Sequence, residues 1–490
     1  MGCGRPGPFD GTITSKSRED IMALDLATAA LSEIAVALRA GDLTASAVAE
    51  WAIGNHEQRG EALQAYKSWD AEKIRLEAAA ADAAFAAGVH LGPLQGMPVS
   101  IKDLIGVSGY PTFAGCPREL PEVWQAEGPV VRAIHNQLGV ISGKAHTVQF
   151  AFGGMGANRH WGAPRNPWDA VDHRSPAGSS SGAGVSLHEG SALLAIGTDT
   201  AGSVRMPASV TGCAGIRPTP GRWSTDGIVP LVSSLDTPGP ITRSAADLAY
   251  GFAAIDPVLA GDVASFLDML DDVDVSDFRI GVCDWYFRDC DPGVAERVHE
   301  ALAELEKAGA RVSAATIPHL DDVSALNDLG GLHIGEFSSF INNEMRDYKD
   351  DLDPAVAIRL AAAENYTAAE HLRRVRDVER MAAAADAGFG PFDVIVGPTI
   401  PVTPPKMSDI ETPETHLAAN TRFVQNTVTA SLLHQCAATV PVGLDSEEMP
   451  VGMQIVGRPG SDETALAVAL ACERVLGWPR ERLGRSPMGI

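Results

Sequence analysis

Residues 175–218 read SPAGSSSGAGVSLHEGSALLAIGTDTAGSVRMPASVTGCAGIRP. The stretch is dense in Gly, Ser, Thr and Ala, yet residues 192–196 form a short apolar run of strand length. Small-residue turns flank that run: Gly178-Ser179-Ser180-Ser181-Gly182 before it and Asp199-Thr200-Ala201-Gly202-Ser203 after it. Arg205-Met206-Pro207 then reads as a stop. A polar linker would enclose no apolar core. Small residues let backbone approach a ligand closely, and successive N–H groups in such turns converge on an anion. The stretch is read as a buried strand that delivers a nucleophilic serine beside an oxyanion hole.

The rest of the chain sets the bounds. Its 490 residues are 45% hydrophobic and 21% charged, with a formal net charge of -25. Such a length buries a large core without disulfide staples. The acidic balance argues against binding a phosphate backbone, so no nucleic-acid partner is expected. The seven cysteines are odd in number and scattered with no CxxC pair, which points to reduced thiols and away from a zinc site. The N-terminus lacks the apolar region of a signal peptide, and Pro6 stands where a myristoylation signal wants Ser or Thr. No apolar stretch reaches the ~18 residues of a membrane span. A cytoplasmic protein without metal or other cofactor is expected.

Residues 1–20 read as a flexible leader and 21–490 as one domain. Helical spacing is expected over 24–40, 43–54 (capped near Thr44), 70–87, 245–255, 293–308 and 463–476. Strand character marks 97–105, 278–283, 310–317, 393–396, 437–442 and 452–456. Residues 130–144 read as a helix, a glycine turn and a short strand. Gly139 to Ala145 only superficially resemble a phosphate loop, because the spacing is one short and Ala145 replaces the metal-binding hydroxyl. Residues 320–386 are mostly helical and poor in motifs, which suits a substrate cover. Alternation of strands and helices without a fixed repeat favours a single large α/β domain, a central sheet with helices on both faces.

Serine chemistries compete for the centre. Gly178 to Gly182 formally matches G-x-S-x-G with Ser180 central, but that elbow needs a core strand running into it. Residues 166–174 (NPWDAVDHR) are no such strand, and S-x-x-K is absent. A serine with a remote lysine base remains. Lys102, flanked by Ile101 and Leu104 in the strand-like 97–105, is an odd charge there, and reads either as such a base or as a lysine on a solvated strand face.

Read together, GMPVSIKDLIGVSG, GGMGANRHWGAPRNPWD, SPAGSSSGAG and GTDTAGSVRMPASVTGCAGIRPT resemble the amidase signature family in order and separation. PVGMQIVGRP and the helix after it are similar to that family's closing segment. The resemblance is dense over about 90–250 and looser over 390–480, the expected catalytic core. It implies a mixed central sheet and hydrolysis of amide or related acyl bonds by a Ser-cisSer-Lys triad. By position, Ser203 matches the nucleophile, Ser179 the bridging serine after a cis peptide, and Lys102 the general base. Backbone N–H groups of Thr200, Ala201, Gly202 and Ser203 match the oxyanion hole, with Asp199 and Arg205 bracing the loop. The sequence departs from the family at Ala177 and Ala201, where it usually shows glycine, and at His146 and Gln149, read as hints about substrate. Ala177 fits the loop if that position needs no positive φ.

A serine hydroxyl needs a base to take its proton, and lysine serves only when neutral, which burial promotes. Phe150, Phe152, Met155 and Trp161 cluster just upstream and either wall an apolar pocket or belong to the core. If they line the site, a hydrophobic or aromatic amide, anilide, ester or carbamate fits. His160 and His173 lack metal-ligand spacing and read as loop or pocket-wall residues. Two other readings stay open: an ammonia-releasing A-type subunit of a tRNA-dependent amidotransferase, and a non-catalytic binding protein on the same fold. The expected partner is a small amide-type substrate; a homodimer is compatible with the sequence, which does not fix the oligomeric state.

Overall fold

The computed structural model describes residues 24–259 and 262–490, so the expected leader, residues 1–20, lies outside the described residues. Eleven strands form one sheet: β1 (Tyr66–Trp69), β2 (Pro98–Lys102), β3 (Val140–Ala145), β4 (Leu194–Asp199), β5 (Ala214–Arg217), β6 (Thr237–Thr242), β7 (Arg279–Cys283), β8 (Arg311–Ala315), β9 (Val394–Pro398), β10 (Cys436–Leu444) and β11 (Pro450–Gly457). Their spatial order is β1-β3-β2-β4-β6-β5-β10-β11-β9-β7-β8. The sheet is mixed. Strands β3, β2 and β4 run parallel, as do β9, β7 and β8, while the pairs through β6, β5, β10 and β11 are antiparallel. Every residue of β2, β3, β4, β9 and β11 is buried. Since successive side chains point to opposite faces, both faces of these strands are covered. The edge strand β8 stays largely exposed.

Local sequence explains most elements. Thr44 caps the helix Ala45–Leu63 through its hydroxyl, which accepts from Ala47 N–H. That helix runs through Gly54, where the sequence suggested a stop. Asp70 caps Ala71–Ala86, and Ser244 caps Ala245–Ile255. The first expected helix is shorter than its periodicity implied and occupies Leu31–Ala40.

Two readings of the central stretch change. A short helix, Ala183–Glu189, separates the first serine turn from the buried strand, which extends to Asp199. The Arg205-Met206-Pro207 stop is the first turn of a helix, Arg205–Val210, where proline loses no hydrogen bond. The segment 320–386 is mostly helical, with Leu320–Asp328, His333–Asn343, Pro354–Ala361 and Ala368–Gly388 as its α-helices. Among the described residues no helix is long and apolar enough to cross a membrane.

Candidate active site

The parallel register of β2 and β4 sets Ile101 opposite Ile196, so the carboxyl ends of both strands reach the same edge of the sheet. There Lys102 ends β2, and β4 runs through Thr198 and Asp199 into the turn Thr200–Ser203. Such strand ends in a parallel sheet are where α/β folds place ligands.

Lys102 is wholly buried. Its Nζ lies 2.7 Å from Ser179 Oγ and 2.8 Å from Thr198 Oγ1, with the Thr198 carbonyl at 3.4 Å. Burial pulls this amine down to about 7 against the attraction of Asp236 and Asp199. Thr198 was not singled out in the sequence, although its place in GTDT directly before Asp199 could have flagged it.

The Gly178–Ser179 peptide is cis. The Ser179 carbonyl accepts from Val148 N–H at 3.1 Å and Thr147 Oγ1 at 3.0 Å, which fixes the turn. Ala177 does adopt the left-handed region, at φ +58°, so the loop keeps its path at a cost of roughly 1–2 kcal/mol relative to glycine's freedom there. Ser180 is a tie between loops. Its N–H donates to the Ser203 carbonyl at 3.3 Å, and its Oγ lies 3.3 Å from both the carbonyl and the N–H of Thr198.

Asp199 organises the second turn. Its carboxylate accepts from Gly202 N–H at 2.8 Å and Val204 N–H at 3.2 Å, and holds Arg205 through Nε and Nη2, each at 3.0 Å. Arg217 stands 3.5 Å away. Burial works against this carboxylate, but Arg205 and Arg217 outweigh it and keep it at about 2. Arg205 also reaches Gln454 and Ser431, from β11 and the helix Pro413–Leu432. Gly202, at φ +128°, leaves no room for a side chain: an added Cβ would lie 2.2 Å from Thr427 Oγ1. Thr427 in turn donates to the Ala201 carbonyl at 2.7 Å. Of the N–H groups expected in the oxyanion hole, that of Gly202 is therefore already engaged by Asp199.

Ser203, Thr200 and Ala201 line a cavity of about 340 Å³. Phe152 lines it too, but Phe150, Met155 and Trp161 do not. Phe150 packs in the core against Phe337 and Phe340; Met155 is buried with Met206, Phe423 and Val424. Trp161 turns toward Phe113 and His146 and donates to the Cys116 carbonyl. The backbone turns through the left-handed region at Phe150 and Ala151, and Ala151, Phe152, Gly153 and Gly154 all reach the cavity lining. His146 and Gln149 lie outside the lining. Gln149 ties down the segment above it, donating to the Asp351 carbonyl and accepting from Asp353 N–H. The opposite wall comes from 320–386, through Asn327, His333, Ile334, Ile358 and Arg359. His160 and His173 bond backbone carbonyls, and no cluster of three or more His, Cys, Asp or Glu side chains able to hold a metal ion occurs among the described residues.

The Amidase family profile matches residues 48–466. The chain belongs to the amidase family. It is 45% identical over 462 residues to 2-amino-5-chloromuconic acid deaminase of Comamonas testosteroni, covering 94% of this chain and 99% of that one. Identity to the A-type subunit of glutamyl-tRNA(Gln) amidotransferase from Symbiobacterium thermophilum is 32% over 471 residues, covering 89% and 94%. A solved amidase structure superposes with a TM-score of 0.80 at 27% identity, over 92% of this chain and 100% of the other. As a member of the amidase family, the protein is an enzyme that hydrolyses C–N bonds.

Proposed function

We propose that the protein is a serine amidohydrolase that works through an acyl-enzyme, with Ser203 as nucleophile, Ser179 as proton relay and Lys102 as base. The observation that carries this reading is the 2.7 Å contact between Lys102 Nζ and Ser179 Oγ, made by a buried lysine that forms no ion pair among the described residues. A neutral Lys102 accepts the Ser179 proton as Ser179 takes the proton of Ser203. The Ser203 oxygen then bonds the substrate carbonyl carbon, and negative charge gathers on the carbonyl oxygen. Backbone N–H groups of Ala201 and Ser203 are the donors for that oxyanion, with Gly202 excluded by its bond to Asp199. Collapse breaks the C–N bond, and the proton returns through Ser179 to the departing nitrogen. Water, deprotonated by the same relay, hydrolyses the ester and frees Ser203.

For substrate, the lining favours a small molecule that carries a carboxylate. Arg359 and Asp328 are the charged side chains of the cavity wall. The Arg359 guanidinium sits over the Phe152 ring at 4.9 Å and donates to the Phe152 carbonyl, without a carboxylate partner among the described residues. The Comamonas relative is named for an amino-substituted dicarboxylic acid, which agrees with a cation in this wall. Release of ammonia from such an acid is the second reading, favoured by 45% identity across nearly the whole chain. The lower identity to the amidotransferase relative, 32%, gives that branch less support.

The experiment is release of ammonia, amine and acid from carboxylate-bearing and neutral amides, anilides, esters and carbamates, and from 2-aminomuconate-type acids. Wild type is run beside Ser203→Ala, with folding checked by circular dichroism. Turnover that vanishes in folded Ser203→Ala supports the reading. Turnover that survives there while dying in Ser180→Ala overturns it.

A further inference from the structure

We propose that Asp236 is a positioning residue for the reaction at Ser203, tying the nucleophile turn to the cavity wall and presenting to Lys102 a carboxylate that no arginine pairs. It rests on Lys102 being the base. Thr200 Oγ1 donates to one Asp236 oxygen in a short hydrogen bond, while the N–H groups of Leu231 and Val232 donate to the other at 2.8 and 3.0 Å. Thr200 and Leu231 both line the cavity, so one buried carboxylate clasps the serine turn and the wall facing it. The strand that follows holds Asp236 in place, because Thr237 of β6 pairs with Asp199 of β4.

The charges around Lys102 make Asp236 distinctive. Two carboxylates attract Lys102, Asp236 more strongly than Asp199. Asp199 is ion-paired with Arg205 and Arg217, and Asp103 with Lys144. Asp236 has no ion pair among the described residues. Arg217 comes near it but donates to the carbonyls of Asp199 and Leu235. Burial pushes Asp236 up to about 6, close to Lys102 at about 7, so the charge on either group alters proton binding at the other.

The test reads the pH dependence of Ser203 sulfonylation by phenylmethanesulfonyl fluoride, followed by mass spectrometry. In Asp236→Asn the neutral amine loses its nearby negative charge, and the acid limb should move to lower pH by about one unit or more. In Thr200→Val the carboxylate stays while the turn is released, so the plateau rate should fall with the limb in place. A limb unmoved in Asp236→Asn, whatever the melting temperature, overturns the proposal. If Asp236→Asn does not fold, an unchanged plateau in Thr200→Val overturns it instead, and a lowered one upholds it. Labelling that persists in Lys102→Met, or falls on a residue other than Ser203, would sink the parent reading of the triad.

Discussion

Lys102 and Lys144 stand on the paired strands β2 and β3, with Ile101 opposite Lys144 in the register, and both are wholly buried, yet of the two only Lys144 makes an ion pair, with Asp103 at 3.1 Å. Lys144 also donates to Thr112 Oγ1 at 2.8 Å, and Asp103 works against the burial that pulls this amine down. Lys102 meets hydroxyls instead, those of Ser179 and Thr198. Neighbouring lysines in one sheet thus have different surroundings: one completes a buried ion pair, and the other, the proposed base, meets hydroxyls.

That contrast sets the first prediction. A base must be neutral, and burial brings Lys102 to about 7, so turnover should rise with pH through about 7 and level off above it. Lys102→Met should fold, because it breaks no ion pair, and should lose ~10²–10⁴ in rate near neutrality. Lys144→Met leaves Asp103 unpaired and should cost roughly 3–5 kcal/mol in urea unfolding. A pH profile flat across neutrality would contradict the assignment of Lys102.

The three serines of the first turn should separate by function. Ser179→Ala removes the proposed relay from Ser203 to Lys102 and should cost ~10²–10⁴ in rate with little change in stability. Ser180→Ala loses only its contacts with Thr198, so about 1 kcal/mol of stability should go while most activity remains. Ser181 bonds the His146 carbonyl and ring, and its loss should likewise be structural. Rates and melting temperatures of the three variants, measured together, decide this.

The bracing of the nucleophile turn makes a stability prediction. Arg205→Met leaves Asp199 buried with Arg217 alone, and should destabilise the fold by roughly 3–5 kcal/mol. Because Asp199 is held at about 2, below its ordinary 3.8, its stabilising contribution is present above about pH 4 and is lost as pH falls through 2. Wild type should lose stability on acidification in that window, and Arg205→Met should lose less of it. Equal acid sensitivity in both proteins would mean that Arg205 does not govern Asp199.

Local signals made most elements and the proposed trio of Lys102, Ser179 and Ser203 legible. Thr44 and Gly202 announce a cap and a turn, and Lys102 stands out as a charge inside an apolar strand. What stayed hidden depends on contacts far apart in the chain. β6, with the sequence TPGPIT, carries two prolines and is not among the strands expected from the sequence, yet it is the strand between β4 and β5. Asp236, Thr427 and Gln454 reach the site from 33 to 251 residues beyond Ser203 in the sequence, so no spacing rule points to them. The aromatic cluster stayed undivided between pocket and core for a similar reason: proximity to the serines in sequence does not say that Phe152 lines the cavity while Phe150 packs into the core.

Arg359 makes the substrate prediction. It belongs to the helix Pro354–Ala361, in the segment read as a cover, and its guanidinium rests against Phe152 at the cavity wall. Burial lowers it to about 10, partly offset by Asp353, so it keeps its charge throughout the range in which Lys102 titrates. A carboxylate-bearing substrate should therefore show a KM that is flat across neutral pH while kcat climbs. Arg359→Gln should raise that KM about 10- to 100-fold, the value of a charge-assisted hydrogen bond of ~1.5–3 kcal/mol, and leave kcat nearly unchanged. A neutral ester of the same acid should be handled alike by both proteins. If Arg359→Gln weakens the neutral and the charged substrate equally, the arginine shapes the wall through Phe152 and does not read the carboxylate.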